Sequence, residues 1–347
     1  MKGFSQVEGL DFDQVFSPIV RFETVCLLLA MVALGGRVAY GLDVRNAYLY
    51  GELDEEIYME QPEGFREPGK EDFVCRLRHA LYRLKQAGLT WWRALKQSME
   101  ELGFVSLSSD AGVFIKRDGN SFVITIIYVD DAIFCGPNKA FVLAMKEAFM
   151  KKWEVQDLGE VTEFLRMQIT CDSSKIHLDQ CAYLRTVLEC CGMQKAKTAA
   201  TPLLAGYVPK PLEEPTNPER RSRYQTIIGS LLYLMLGTRP DIAFTVTKLE
   251  QYAANPSKEH LNKALYICCY LVGTPNYRLM YDGSSGQGLS ACTDSDWASD
   301  NITRRSQSGY FVKMAKDLLA GHPERKRQLP SPALRQNIWH SLIVAAK

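Results

Sequence analysis

Two adjacent aspartates between two apolar runs constrain this chain more than any other feature of its sequence. The motif Tyr-Val-Asp-Asp at residues 128–131 follows an apolar run at 122–127 and precedes another at 132–136. Two such runs around a short polar segment are typical of paired strands with a tight turn between them. A hairpin of this kind presents the carboxylates of Asp130 and Asp131 at a single point.

The chemistry of this aspartate pair has two interpretations. Two like charges held together are unfavourable unless a cation joins them, and carboxylate oxygens are ligands that suit Mg²⁺. Enzymes of phosphoryl transfer use two such ions to hold the attacking and leaving oxygens. The alternative is a solvated turn, because Asp is common in surface turns. The four residues alone favour the solvated turn, so the choice depends on the rest of the chain.

Composition limits the remaining classes of function. The 347 residues suffice for two or three domains, and a hydrophobic fraction of 46% is typical of a soluble globular protein. Because 41 basic residues face 40 acidic ones, a nucleic-acid partner would need a local basic surface. The ten cysteines form no Cys-x-x-Cys motif, which disfavours zinc and predicts free thiols in a reducing compartment. The apolar stretch at 25–34 is too short to span a bilayer, so no membrane partner is expected.

Hydrophobic periodicity predicts a chain that mixes helices and strands. A strand at 37–42 is expected to deliver Asp43, and the polar segment at 52–70 is expected to be a loop or short hairpin. A turn at 118–119 predicts a strand pair across 113–128. A linker rich in Pro, Thr and Lys is predicted at 195–220, and a new β module from about residue 279. The predicted helices cover 21–35, 75–102 with an interruption at Gly88, 140–153, 229–237, 242–254 and 258–271.

Several short motifs follow one another along the chain in a characteristic order. They are Phe-Ser-Pro-Ile-Val at 16–20, Gly-Leu-Asp-Val-Arg-Asn-Ala-Tyr-Leu-Tyr-Gly at 41–51, Ile-Tyr-Met-Glu-Gln-Pro at 57–62, Leu-Lys-Gln-Ala at 84–87, Tyr-Val-Asp-Asp at 128–131, Asp-Leu-Gly-Glu at 157–160, Ala-Thr-Pro-Leu at 200–203 and Thr-Arg-Pro-Asp-Ile at 238–242. Together they resemble the reverse transcriptase of Copia-type LTR retrotransposon Pol polyproteins, over residues 2–314. Each motif is weak alone, but their order and spacing are specific.

The resemblance implies an α+β fold with the right-hand architecture of a polymerase. The implied palm, an antiparallel sheet with helices and partial fingers, covers 1–170. A helical thumb and connection would cover 171–278, and the truncated start of an RNase H-like β-module 279–314. The segment 315–347 would be a divergent tail that reads as frame-shifted.

The same resemblance implies a catalytic site of three carboxylates. Asp43 would stand at the end of the first palm strand, with Asp130 and Asp131 on the hairpin. These aspartates would hold two Mg²⁺ ions, or Mn²⁺ in their place, with Asp131 as the weaker ligand. An RNA or DNA template-primer and deoxynucleoside triphosphates are the implied partners, and the oligomeric state is left open.

Five further residues would bind the incoming nucleotide by resemblance. The ring of Tyr48 would exclude a ribose 2′-hydroxyl, and the alternative is an ordinary core tyrosine. Asn46 and Ala47 would offer backbone N–H groups to the triphosphate. Lys85 and Gln86 match a segment near the nucleotide and template, and the alternative is a solvated helix face.

Two adjacent tryptophans, Trp91 and Trp92, have two interpretations of their own. Aromatic rings can stack on the bases of a nucleic acid. Their helical spacing with Leu95 and Met99 instead predicts that at least one of them belongs to the core.

The segments at 292–300 and 304–310 are similar to the opening of the family's RNase H domain. By that resemblance Asp294 is its first metal-binding carboxylate. No segment after Met314 resembles those that supply the remaining carboxylates. Because two-metal cleavage needs several ligands, we expect no RNase H activity.

Several positions depart from the family pattern. Arg83 and Arg166 stand where the family has glycine, while Gly88 and Leu89 stand where it has proline and arginine. A bulky cation at a glycine position demands a backbone conformation that glycine adopts more readily. The chain also begins just after the point at which the family's fingers segment, with its Lys/Arg pair, would end. We therefore expect weak or absent polymerase activity.

Three functions are compatible with these patterns. The leading hypothesis is the reverse transcriptase region of a Copia-type retrotransposon, in the cytoplasm, in a virus-like particle if the element is intact, or in the nucleus. The alternative is a non-catalytic nucleic-acid-binding remnant or transposon relic. A third, an unrelated metal-dependent phosphohydrolase, would use the same Asp43, Asp130 and Asp131, but the ordered motifs argue against it.

Overall fold

A computed structural model of the protein describes residues 3–172, 175–204, 206–284, 288–295, 307–314 and 317–325. Helices and strands are both abundant, which confirms the predicted α+β class. The chain divides into two compact units, one of residues 1–25 and 35–161 and the other of 26–34 and 162–347. Within the described ranges, no helix is both long and apolar enough to cross a membrane.

The first 161 residues contain three α-helices, one 3-10 helix after β1, and eight strands, counted over the described residues from α1 onward. The helices predicted at 21–35 and 140–153 and the strands predicted at 37–42 and 113–128 are confirmed, with small shifts of their ends. The elements are, in chain order, α1 (Phe22–Gly35), β1 (Val38–Val44), a 3-10 helix (Ala47–Tyr50), β2 (Tyr58–Glu60), β3 (Val74–Arg76), α2 (Ala87–Glu101), β4 (Val105–Ser106), β5 (Val113–Asp118), β6 (Ser121–Tyr128), β7 (Asp131–Gly136), α3 (Lys139–Met150) and β8 (Val155–Glu160).

A six-stranded antiparallel sheet holds the strands on which the aspartates lie. Its order is β4-β5-β6-β7-β1-β8, so β1 is flanked by the hairpin strand β7 and by β8. One hydrophobic core joins this sheet to α2 and α3, and its buried members include Leu42, Phe134, Trp91 and Phe149. Full burial of a large apolar side chain contributes about 1.5–3 kcal/mol. The core therefore holds β1 and β7 side by side.

The helix predicted from residue 75 is wrong over its first part. Residues 74–76 form β3, which pairs with β2. The N–H of Leu77 donates to the carbonyl of Ile57 (2.8 Å), and that of Ala80 donates to the carbonyl of Gly51 (2.8 Å). These donors have partners in a distant segment, so no helix forms here, although Leu84 is buried and Leu77 and Leu81 are partly buried. The predicted loop at 52–70 contains the partner strand β2.

Gly88 does not interrupt α2, contrary to the prediction. It is the second residue of the helix, where the backbone N–H has no intrahelical partner, so the low propensity of glycine matters little there. The hydroxyl of Ser17 donates to the carbonyl of Gly88 (3.0 Å), and an added Cβ at Gly88 would lie 3.2 Å from the Cβ of Ser17.

The second unit contains residues 26–34 of α1, two sheets, and four helices between residues 181 and 273 that share a core. Helix α5 begins after Asn217, whose side chain accepts from the N–H of Glu219 (2.7 Å), with Pro218 at the first helical position. The elements after residue 161 are, in order, β9 (Glu163–Phe164), β10 (Met167–Asp172), β11 (Lys175–Asp179), α4 (Cys181–Cys190), α5 (Pro218–Gly237), a 3-10 helix (Pro240–Ile242), α6 (Ala243–Glu250), α7 (Lys258–Gly273), β12 (Leu279–Asp282), β13 (Leu289–Ser295), β14 (Gln307–Met314) and β15 (Asp317–Arg325).

Strand pairing in the second unit crosses three of the predicted boundaries. The boundary at 170 falls inside β10, and β12 pairs with β11 rather than opening a new module at 279. The two sheets are ordered β12-β11-β10-β9 and β13-β14-β15. The tail predicted to lack periodicity from 315 contains β15, which pairs with β14. Leu319 of β15 is buried, and this burial accounts for a strand where the sequence pattern is weak.

The motif at 238–242 forms a partly buried polar network in the second unit, centred on the buried Arg239. The side chain of Arg239 is 2% exposed, and its Nη2 donates to Oδ2 of Asp241 (2.7 Å). Its Nη1 donates to the carbonyl of Thr274 (2.9 Å), and the hydroxyl of Tyr270 donates to the same Asp241 oxygen (2.9 Å). Arg239 therefore joins the end of α5 to the end of α7.

Both arginines at family glycine positions adopt a left-handed backbone. Arg83 has φ 79°, and Arg166 has φ 55°. Leu165 (φ 50°) and Arg166 form the two-residue turn between the paired residues Phe164 and Met167. A turn with two positive φ values is the type that favours Asn-Gly, and each residue with a Cβ is strained in it.

Replacing either arginine with glycine is expected to stabilise the protein. Relief of about 1–2 kcal/mol of left-handed strain exceeds the extra chain entropy of glycine, so Arg83→Gly and Arg166→Gly should each add about 0.5–1 kcal/mol. Urea unfolding would measure the change. The matched control is Arg185→Gly on the exposed face of α4, which should destabilise by about 1 kcal/mol. A loss of stability at Arg83 and Arg166 equal to that of the control would refute the strain argument.

Candidate active site

The hairpin of β6 and β7 ends in a two-residue turn at Val129 and Asp130. Tyr128 pairs directly with Asp131, so only these two residues connect the strands, as the sequence predicted. Val129 has φ 59°. A positive φ at the first turn position is the conformation in which a two-residue hairpin turn favours glycine. A β-branched residue there is a strained outlier, and such strain is found at functional sites.

Hydrogen bonds hold both carbonyl groups of this turn. The N–H of Val44, at the end of β1, donates to the carbonyl of Asp130 (2.8 Å). The indole Nε1 of Trp91, on α2, donates to the carbonyl of Val129 (2.7 Å). The turn is therefore attached to the neighbouring strand and to the helix that packs on the sheet.

The strand register brings Asp43 to the same corner of the sheet. Asp43 of β1 lies opposite Asp131 of β7, so their side chains leave the same face. The pKa of Asp130 is raised, first by partial burial and then by the negative charge of Asp43. The three predicted aspartates therefore lie at neighbouring backbone positions, and two of them repel each other.

The donor chemistry of this corner fits a hard divalent cation in part. Asp43 and Asp130 supply only oxygen atoms, and a cation between them would remove the repulsion that raises the pKa of Asp130. Among the described side chains, no three or more Asp, Glu, His or Cys groups are close enough to share one metal ion. The three-carboxylate ligand set therefore stays a prediction, and within it the charge of Asp43 acts on Asp130.

Tyr48 lies beside the aspartates on the 3-10 helix that follows β1. Its pKa is raised by burial, by the charge of Asp130 and by the neighbouring hydroxyls of Tyr82 and Tyr128. Its ring meets that of Tyr82 edge-on, with centroids 4.9 Å apart. Tyr48 is only half-buried, so the interpretation as an ordinary core tyrosine does not describe it fully.

Asn46 and Ala47 form the bend between β1 and that 3-10 helix. Asn46 is exposed and has φ 54°, a left-handed conformation that asparagine tolerates better than most residues. Ala47 is 1% exposed, because its methyl group belongs to the core of the sheet. Its side chain thus contributes packing, and only its backbone could serve a ligand.

Lys85 and Gln86 precede α2 and do not lie on a helix face, so the predicted alternative is wrong for both. Lys85 is exposed, whereas Gln86 is 1% exposed. The side-chain amide of Gln86 accepts from Gln6 (3.1 Å) and donates to the carbonyl of Asp11 (2.9 Å). Gln86 therefore ties the first residues of the chain to the start of α2.

Two site residues were not found from the sequence. Tyr82 is a neighbour of the aspartates, and its pKa is raised by burial and by the charges of Asp130 and Asp43. Trp91 was assigned either to base stacking or to the core, and its hydrogen bond to Val129 was not foreseen. No local sequence pattern predicts this contact, because Trp91 and Val129 are 38 residues apart.

The predicted RNase H carboxylate lies in the second unit. Asp294 is in β13 and pairs with Gly309 of β14, in agreement with the predicted β structure. The remaining residues of the two matching segments, 296–300 and 304–306, lie outside the described residues, as does the basic tail from 326 onward.

Comparisons with known proteins agree with the order of the motifs. A family model described as reverse transcriptase (RNA-dependent DNA polymerase) matches residues 1–205. The retrovirus-related Pol polyprotein from transposon TNT 1-94 of Nicotiana tabacum is 38% identical over 90% of this chain and 24% of its own length. The corresponding polyprotein from transposon RE1 of Arabidopsis thaliana is 34% identical over 90% of this chain and 21% of its own length.

A shorter relative is matched over most of its own length. The transposon Ty5-1 protein YCL074W of Saccharomyces cerevisiae is 30% identical over 81% of this chain and 90% of that protein. The two plant polyproteins are much longer, and the chain spans less than a quarter of either.

Proposed function

This chain belongs to the reverse transcriptase family of Copia-type retrotransposon Pol polyproteins, and we propose that it catalyses template-directed DNA synthesis at Asp43 and Asp130. The observation that supports this most directly is the strained turn that holds Asp130 next to Asp43. A solvated surface turn needs neither a left-handed valine nor a buried indole donor. Strain that is maintained by surrounding contacts is characteristic of functional sites.

In the proposed mechanism the residues of this corner bind the metal ions and orient the incoming nucleotide. Asp43 and Asp130 would hold two Mg²⁺ ions, or Mn²⁺ in their place, with Asp131 as the weaker ligand. Bound ions supply the positive charge that stabilises phosphoryl transfer. Asn46 and Ala47 offer backbone N–H groups to the triphosphate, and Lys85 supplies a cation near it. Catalysis of this type rests on positioning and charge, so carboxylates rather than a nucleophilic side chain are what it requires.

The proposed architecture follows the family. The first unit, with its antiparallel sheet, would be the palm, and the helices α4–α7 of the second unit would be the thumb and connection. The sheet of β13–β15 would be the opening of an RNase H-like module, with Asp294 as its first carboxylate. The proposed partners are an RNA or DNA template-primer and deoxynucleoside triphosphates, and the proposed location is the cytoplasm.

Primer extension on poly(rA)/oligo(dT) with Mg²⁺ or Mn²⁺ tests the proposed activity. Folded, monodisperse protein is expected to extend the primer in a metal-dependent reaction that releases pyrophosphate. Thymidine triphosphate should be incorporated far better than non-complementary nucleotides, because the template selects the base. Protein that is folded and binds the template-primer but never extends it would overturn the proposal.

Tyr48 is proposed to exclude ribonucleotides. Tyr48→Val removes the ring beside Asp130 and is expected to raise the efficiency of ribonucleotide incorporation by roughly tenfold to a hundredfold, because a steric barrier is lost. Steady-state kinetics with UTP and dTTP would measure the ratio. Leu49→Ala, an exposed neighbour on the same 3-10 helix, is the matched control. An unchanged ratio in Tyr48→Val would remove Tyr48 from this role.

A second candidate function is nucleic-acid binding without catalysis. It is favoured by two exposed arginines, Arg83 and Arg166, at strained positions where the family has glycine. This function predicts tight, salt-dependent binding of a template-primer, since basic side chains displace counterions from phosphates. Binding that persists while primer extension is absent, at all metal concentrations tested, would support it.

A further inference from the structure

One buried hydrogen bond near the proposed site has no assigned role. Trp91 is 2% exposed, yet its indole N–H donates to the carbonyl of Val129, the residue before Asp130 (2.7 Å). The N–H of a buried tryptophan usually finds an acceptor, but any nearby acceptor would serve. Here the acceptor is the carbonyl of the one strained residue in the turn.

Packing holds the Trp91 ring in the orientation that this bond requires. The ring of Trp153 lies nearly perpendicular to it, with centroids 5.0 Å apart, and the ring of Tyr50 lies 5.9 Å away. The Tyr50 and Trp153 rings also contact each other, at 4.8 Å. The hydroxyl of Tyr50 accepts from the N–H of Glu154 (3.1 Å), which fixes the position of that ring. Trp91 is therefore a rigid donor.

The turn depends on such support because of its own conformation. A valine in the left-handed region is unfavourable and persists only where surrounding contacts specify it. The Val44 bond holds the carbonyl of Asp130 from β1, and the Trp91 bond holds the preceding carbonyl from α2. Loss of the second bond would leave the peptide between Val129 and Asp130 free to rotate toward an ordinary turn. That rotation would displace the carboxylate of Asp130.

We propose that Trp91 is a positioning residue that maintains the left-handed turn at Val129 and thereby fixes Asp130 beside Asp43. The proposal rests on the proposed function for its catalytic consequence. The conformational part, that the indole N–H maintains the turn, stands on the hydrogen bond and the backbone angle alone.

A double-mutant cycle tests the proposal. Trp91→Phe keeps an aromatic ring but removes the N–H donor, and kcat of primer extension should fall roughly tenfold to a hundredfold, with KM for template-primer unchanged. Val129→Gly allows the turn to keep its conformation without support. The loss caused by Trp91→Phe should therefore be much smaller when it is introduced into Val129→Gly, and this rescue distinguishes positioning from packing.

Trp92→Phe is the matched control. Trp92 lines the same cavity of about 140 Å³ as Trp91 and Val129, and its buried Nε1 has no hydrogen-bond partner among the described residues. We expect kcat to stay within about twofold of the wild type. Should Trp91→Phe fail to fold, 3-benzothienylalanine at position 91 removes the donor at nearly constant shape. Equal losses at both tryptophans, or a Trp91→Phe loss that Val129→Gly leaves unchanged, would overturn the proposal.

A measurement that does not require activity separates the conformational role of Trp91 from its effect on catalysis. Amide hydrogen exchange at Asp130 and Asp131 should accelerate in Trp91→Phe and return toward the wild-type rate in the double variant. If the wild type does not extend primers, this exchange pattern still tests the turn, and the proposed function fails by itself. Unchanged exchange in Trp91→Phe would overturn the positioning role even in an active enzyme.

Discussion

Asp130→Asn is expected to lower the rate of primer extension by roughly a thousandfold while leaving the protein folded. The substitution keeps the size of the side chain and its place in the turn, but it removes the charge that would bind a cation. Asp43→Asn should have a similar effect, because Asp43 is the other half of the pair. Asp131→Asn should cost less if Asp131 is the weaker ligand.

The raised pKa of Asp130 predicts the direction in which Asp130→Asn changes the stability of the protein. A carboxyl whose pKa is raised in the folded state prefers its proton there, so its ionised form opposes folding at neutral pH. Asp130→Asn should therefore unfold at the same temperature as the wild type or at a higher one. Protons compete with the metal for Asp130, so activity of the wild type should be lost as the pH is lowered. Because the pKa of Asp130 is raised, this loss should begin at a higher pH than it would with an aspartate of ordinary pKa.

The measurement is single-turnover extension at saturating metal, combined with thermal unfolding of each variant. Asp118→Asn, an exposed aspartate at the turn between β5 and β6, is the matched control and should leave the rate unchanged. A fall in rate of less than about tenfold in Asp130→Asn would contradict the assignment of Asp130 as a principal ligand.

Arg239→Ala is expected to destabilise the protein by about 2–3 kcal/mol. The substitution removes the guanidinium that pairs with Asp241 and satisfies the carbonyl of Thr274. The partly exposed carboxylate of Asp241 would still accept from the hydroxyl of Tyr270, so most of the loss comes from the buried guanidinium of Arg239. Removing a buried group that satisfies hydrogen-bond acceptors and fills space is costly.

Urea unfolding followed by hydrogen exchange in α5 and α7 would measure this loss. Arg239→Lys should recover only part of the stability, because an ammonium group cannot form the bidentate contact with Asp241. Arg278→Ala, at an exposed arginine nearby in sequence, is the matched control and should change stability by less than about 0.5 kcal/mol. A similar small change in Arg239→Ala would show that the network is dispensable.

The fold class and the hairpin were predictable because both follow from local patterns. Apolar runs on either side of Tyr128–Asp131 specify two paired strands, whatever the rest of the chain does. Asn217 and Pro218 are also a local signal for the start of α5, but the predicted helix begins only at 229, after a predicted linker at 195–220. Arg83 and Arg166, which stand where the family has glycine, also indicated an unusual backbone conformation, because a backbone angle is a local property.

Errors occurred where distant partners compete with a local pattern. The leucines of residues 77–84 have helical spacing, but the N–H groups of Leu77 and Ala80 bind a segment more than 19 residues earlier. Glutamine is usually solvent-exposed, yet the side chain of Gln86 is buried and forms hydrogen bonds to Gln6 and Asp11. A hydrogen bond to a distant residue leaves no trace in the periodicity of either segment.

By itself the sequence determined the family, the mixed helix and strand content, and the presence of two aspartates at a hairpin tip. Those features depend on the order of motifs and on hydrophobic periodicity, both of which are properties of the linear sequence. Only the tertiary structure decided that Asp43 faces this tip, that Val129 is held in a left-handed turn, and that Trp91 supports it. These depend on strand register and on side-chain packing between segments far apart in sequence, which no local pattern specifies.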